Sequence, residues 1–149
     1  MLKKIIIFLG IVFYSLSSTS FSKEKFEIEF TNWDLGKCPG RTHKVPNPNI
    51  KINNSPDGTK ILKFRVSDLD RPMINHGGGK IEYNGENIIK SGTFNYFRPC
   101  PPFPEIHTYK WTVTAYDKDN KKLGTTSFKK NIPKKNNIKN PQKFLSGGF

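Results

Sequence analysis

Acidic residues are scarce in this chain: 12 Asp and Glu stand against 25 Lys and Arg over 149 residues, a formal net charge of +13. Cysteine is scarcer, with Cys38 and Cys100 alone. A structural metal site takes about four N or S ligands, and these two thiols with His43 do not supply them. No apolar run beyond the first stretch approaches the length of a membrane span. No window of helical length carries a clean apolar stripe, which argues against a helical fold. Phosphate-cradling and dinucleotide-binding glycine motifs are absent, so nucleotide chemistry of those kinds is not expected. No cofactor is implied.

The first 22 residues have a different character. Lys3 and Lys4 precede an apolar stretch from Ile5 to Phe13, and Ser20-Phe21-Ser22 offers small residues at the two positions a signal peptidase reads. This is the pattern of a secretory signal peptide cleaved near Ser22, and it is too short to read as a spanning helix. The expected location is periplasmic or secreted. Removal of residues 1–22 leaves 127 residues with a charge of +11, enough for one domain with a real core. A basic balance can serve nucleic acid, an acidic membrane or an acidic partner. Here the lysines are scattered among Asn and Ile, so the charge reads first as composition, and nucleic acid is not the expected partner. An even cysteine count behind an export signal predicts a Cys38–Cys100 disulfide, with two unpaired thiols as the alternative.

Alternation with period two marks the strands. Phe26, Ile28 and Phe30 alternate with Glu27 and Glu29; Ile50 and Ile52 flank Lys51. Leu62, Phe64 and Val66 alternate with Lys63, Arg65 and Ser67, and Tyr109, Trp111, Val113 and Ala115 with Lys110, Thr112 and Thr114. Each reads as a half-buried strand. Lys80–Tyr83, Phe94–Phe97 and Thr125–Phe128 are shorter candidates. Ser55-Pro56-Asp57-Gly58 has turn chemistry, and Asp117-Lys118-Asp119-Asn120 reads as the loop of a hairpin. From Lys129 the chain turns to lysine, asparagine and proline, the composition of a poorly ordered tail. The expected organisation is a signal peptide over 1–22, one all-β domain over 23–132, built as two packed sheets, and a basic tail over 133–149.

Two segments carry candidate chemistry. Asp68-Leu69-Asp70-Arg71-Pro72 ends one strand with two carboxylates and a proline. Arg98-Pro99-Cys100-Pro101-Pro102-Phe103-Pro104-Glu105-Ile106-His107-Thr108-Tyr109 runs a proline-stiffened loop into His-x-Tyr at the head of another. Together they resemble the D-x-D-x-P, G-P-x-P-P and H-x-Y motifs of the phosphatidylethanolamine-binding protein family, over roughly Ile50 to Leu123. Arg98 stands where that family has Gly, and His76-Gly77 where it has a His-Trp pair. The resemblance implies a β-sandwich with few peripheral helices and a ligand pocket built from Asp68, Asp70, Pro72, His76, Pro101, Pro102, His107 and Tyr109. The implied ligand is a small anion, phosphate-bearing or carboxylate, bound without catalysis. A histidine beside a carboxylate is held in one tautomer or in its charged form, and can donate to an anionic oxygen. Prolines fix the loop before ligand arrives.

Other readings of the same residues stay open. Asp68 and Asp70 can simply cap a turn before Pro72, and Tyr109 shares a face with Trp111 and can be core. His76-Gly77-Gly78-Gly79 matches the oxyanion-hole run of lipases and esterases, but the chain has no G-x-S-x-G nucleophile elbow, so no hydrolase is expected. The alternatives to a pocket protein are an exported interaction module that meets a protein partner through a basic surface, or a protease inhibitor working through the proline-rich stretch around Phe103.

Overall fold

A computed structural model describes residues 24–31, 33, 43–102 and 104–133. Residues 1–22, read as a signal peptide, Cys38, Phe103 and residues 134–149 lie outside the described residues, and with them the expected disulfide and the centre of the expected inhibitory stretch.

Among the described residues the fold is all-β, with nine strands and no helix. The strands are β1 (Glu27–Phe30), β2 (Lys44–Pro46), β3 (Ile50–Asn53), β4 (Ile61–Asp68), β5 (Lys80–Glu82), β6 (Ile88–Ile89), β7 (Asn95–Phe97), β8 (Ile106–Tyr116) and β9 (Lys122–Pro133). They form three antiparallel sheets: β1-β3-β6, a two-stranded ribbon β2-β7, and β5-β4-β8-β9. The alternation expected in the sequence fixes which face of the four-stranded sheet is buried. Leu62, Phe64 and Val66 of β4 lie opposite Ala115, Val113 and Trp111 of β8, and all six are buried. Their neighbours Lys63 and Arg65 are exposed, and Thr112 and Thr114 half-buried.

Rings from the other sheets pack on that face. Phe30 lies 5.2 Å from Trp111, Tyr96 4.8 Å and Phe94 6.3 Å, ring centre to ring centre. Trp33 adds an edge contact at 6.0 Å, and its indole N–H donates to the Tyr96 hydroxyl at 3.0 Å. These buried side chains form one cluster shared by the three sheets, where two packed sheets were expected. Asn47 is the polar exception. Fully buried between β2 and β3, it donates through Nδ2 to the carbonyls of Pro48 and Lys90 and accepts from the Phe94 N–H, so its amide is satisfied and its role is to fasten a loop.

Local chemistry explains the connections. At Ser55–Gly58, Gly58 adopts φ +78°, which glycine takes without cost. In the β8–β9 hairpin the Asp117 carboxylate accepts from the N–H groups of Asp119 and Lys121, and Asn120 takes φ +59°. The run Gly77-Gly78-Gly79 passes along β4, whose Phe64 and Val66 N–H groups donate to the carbonyls of Gly79 and Gly77. Gly78 is required there: a Cβ would meet the Phe64 carbonyl oxygen at 2.0 Å.

The last strand differs most from expectation. The composition turns tail-like at Lys129, and the strand expected there was Thr125–Phe128 alone, yet β9 runs to Pro133. Ile132 is buried opposite His107, and the Lys130 ammonium sits 5.1 Å over the Trp33 ring and donates to the Trp33 carbonyl at 3.4 Å. Lysine stems cover apolar surface while the charge stays wet, so a lysine-dense segment can hold a strand.

Candidate functional site

The buried stripe of the four-stranded sheet changes chemistry at one end. Asp68 closes β4 and His107 stands near the head of β8, both on the core face by strand parity and both almost wholly buried. Asp68 lies opposite Tyr109, which makes His107 its diagonal neighbour across the two strands. The two side chains meet, with His107 Nδ1 2.6 Å from Asp68 Oδ2. The other carboxylate oxygen, Oδ1, accepts from the N–H groups of Asp70 (2.9 Å) and Arg71 (3.0 Å) and so ties the turn that follows β4. Asp70 in turn accepts from the Thr108 N–H at 2.6 Å, holding the same turn against β8.

The second ring nitrogen is also engaged. His107 Nε2 is 2.7 Å from Glu105 Oε2, and Arg71 Nη2 donates to both Glu105 oxygens at 3.2 and 3.3 Å. The result is an alternating chain of charge: Asp68, His107, Glu105, Arg71. Burial works against charge on His107, but hydrogen bonds to Glu105 and Asp68 outweigh it and raise the imidazole above its usual range. Burial likewise opposes the Asp68 carboxylate, yet its bonds from His107 and from two backbone N–H groups bring it below its ordinary value. Glu105 is lowered chiefly by its bond to His107. His107 is thus held by a carboxylate at each ring nitrogen, an arrangement that favours its charged form.

Beside this pair lies a cavity of about 10 Å³, lined by Asp68, Ile74, His76, Cys100, Pro102, His107 and Tyr109. That is room for about one water. The His76 ring is buried and stands edge-on to Tyr109 at 5.2 Å; its Nδ1 is 3.0 Å from the Phe97 carbonyl, while Nε2 has no hydrogen-bond partner among the described residues. Five of the eight residues expected in the pocket therefore line one cavity: Asp68, His76, Pro102, His107 and Tyr109. Asp70 acts through the backbone, Pro72 is exposed in the turn, and Pro101 is buried but outside the lining.

Glu105 and Arg71 were not singled out in the sequence. A signal was present: Glu105 is two residues from His107, and such positions share a face along an extended chain. Among the described residues no cluster of His, Cys, Asp and Glu is placed to hold a metal ion, and no helix is long and apolar enough to cross a membrane. Comparison of the chain with protein-family models finds no match, and comparison with curated proteins finds none either.

Proposed function

We propose that this protein is a non-catalytic binding protein, taking a small anionic group, carboxylate or phosphate, at His107 and Arg71. The observation that carries the reading is Glu105. Its carboxylate is held by an imidazole nitrogen at 2.7 Å and a guanidinium at 3.2 Å, and it is partly exposed. An anion from outside that displaced Glu105 would meet the same two donors, with Asp68 already fixing the ring from behind. Charge-assisted bonds of this kind are the strong ones. The cavity beyond is too small for a phosphate, so the anion binds at the mouth and any further part of the ligand reaches toward His76. With a carboxylate at each imidazole nitrogen, the geometry favours binding over general-base catalysis, which needs a free nitrogen. The likeness of residues 68–72 and 98–109 to the phosphatidylethanolamine-binding protein family, whose pockets take such groups, points the same way, as does an export signal for a periplasmic or secreted site. A Cys38–Cys100 bond would pin one wall of the cavity.

Calorimetry with inorganic phosphate and with acetate tests this. Glu105→Ala removes the internal competitor and should tighten binding by about tenfold, the worth of one charged hydrogen bond. Arg71→Ala and His107→Ala should each weaken it by about tenfold or more, in proteins whose near-UV circular dichroism is unchanged. Equal affinity in wild type, Glu105→Ala and Arg71→Ala would discard the reading even if His107→Ala fails to fold.

A further inference from the structure

The opposite face of the same sheet holds a second feature that the His107 site does not use. Lys63 and Arg65 of β4, Lys80 of β5, Lys110 of β8 and Lys129 of β9 all project from the solvent face, set there by the parity that buries their neighbours. Two pairs stand directly opposite one another across strands: Lys63 with Lys80, and Lys110 with Lys129. Like charges in that position are destabilising. Yet none of the five meets a carboxylate within ion-pair distance among the described residues, and the ion pairs that do form lie elsewhere. Glu82, opposite Ile61, is the acid on this face and stands at its corner.

The array is broad as well as basic. Strands lie about 4.8 Å apart and alternate residues along one strand about 6.7 Å apart, so cations on four adjacent strands form a two-dimensional patch. Beside Lys63, Arg65 and Lys80 runs an open cleft of about 440 Å³, floored by Gly77, Gly78 and Gly79, which put no side chain into it. Asn75 borders the cleft with its Oδ1 already accepting from the Gly77 N–H, so its Nδ2 is left to donate. At one end the face turns apolar. Leu69, which extends the ladder past β4 through its N–H to the Thr108 carbonyl, is 43% exposed, and Ile106 of β8 is 62% exposed.

We propose that this face docks on an anionic lipid bilayer, with lipid phosphate in the glycine-floored cleft and Leu69 and Ile106 entering the interface. Uncompensated cations are complementary to a negative surface, and their mutual repulsion is relieved there. A planar bilayer matches a patch four strands wide and offers an apolar layer for the exposed side chains. A linear polyanion offers neither. Its cations lie on the opposite face of the sheet from His107, and only the Leu69 and Ile106 end adjoins that site.

Vesicle flotation of the full chain tests it, comparing phosphatidylcholine vesicles with vesicles of phosphatidylcholine mixed with phosphatidylglycerol. The readout is the gain in binding on anionic over neutral vesicles, because every variant shares the same termini. Each cation near the surface contributes about a fivefold factor, so Lys63→Gln with Arg65→Gln and Lys80→Gln should cut that gain by about a hundredfold. Leu69→Ser with Ile106→Ser should lower it several-fold, and salt should weaken it. An unchanged gain in the folded triple variant overturns the proposal. So does tighter binding to heparin or single-stranded DNA than to anionic vesicles with no effect of the Leu69 and Ile106 changes, which would make the face a linear-polyanion site.

Discussion

The two faces of the β5-β4-β8-β9 sheet treat charge in opposite ways. On the buried face Asp68 pairs with His107, and the chain of alternating charge runs on through Glu105 to Arg71 at the exposed rim, each charge touching its opposite. On the solvent face Lys63 looks at Lys80 and Lys110 at Lys129 with no acid between them. Burial dictates the first: an unpaired charge out of water costs several kcal/mol, so partners are obligatory. Solvent permits the second, since screening reduces like-charge repulsion to tenths of a kcal/mol. Charge on the inner face is thus matched within the fold, whereas charge on the outer face meets no carboxylate among the described residues.

The largest break in this comparison is expected from Asp68→Ala. It strands a buried imidazolium and two backbone N–H groups, and should cost about 3 kcal/mol or more in denaturant unfolding, the worth of a broken buried pair. A loss under about 1 kcal/mol would mean the pair is not buried as described.

Next comes pH. Because the folded His107 pKa is raised, its contribution is fully present below its unfolded value near 6.5 and is lost as pH rises through the higher folded value. For Asp68 and Glu105 the folded values are lowered, so their contributions are present above their unfolded values near 4 and are lost as pH falls. Stability should peak between about pH 4.5 and 6.5 and decline above it; phosphate affinity should decline on that alkaline side too. A melting temperature that keeps rising from pH 6 to 8 would contradict the clamped imidazolium.

Smaller still, Lys130→Ala should cost about 0.5–1 kcal/mol by removing the cation over Trp33. Last, Lys63→Glu should leave stability unchanged or raise it by a few tenths of a kcal/mol, because it turns a like-charged cross-strand pair into an attractive one. A loss above about 1 kcal/mol would show that the outer lysines bear on the fold after all.

How far these features were legible depends on the physics that wrote them. The cores of β4 and β8 were plain because a sheet with one wet face forces strict alternation through Leu62–Val66 and Tyr109–Ala115. That same parity put Asp68 and His107 inward, and the Asp-x-Asp-x-Pro and His-x-Tyr motifs drew attention to them. The strands β2 and β6, at three and two residues, are too short to show a period. In β9 lysines occupy both faces, Lys129 outward and Lys130 over a ring, so composition hid the alternation. The partnership of Glu105 and Arg71 across the proline loop depends on how that loop folds back, which no local pattern encodes. Likewise the basic patch is invisible as a charge run, because its members lie on four strands and meet only through register.

The contacts of Trp33 carry a consequence for the order of folding. Its ring and N–H reach Tyr96, Trp111 and Phe128, and its carbonyl receives Lys130, partners 63 to 97 residues further along the chain. Contacts so distant in sequence close large loops and come late, and they slow folding. The β8–β9 hairpin joins strands adjacent in the chain and can stand first, leaving the docking of Trp33 to follow. A residue made early would thus be among the last to find its partners, and the Trp33 signal should lag behind formation of the β8–β9 hairpin in stopped-flow refolding.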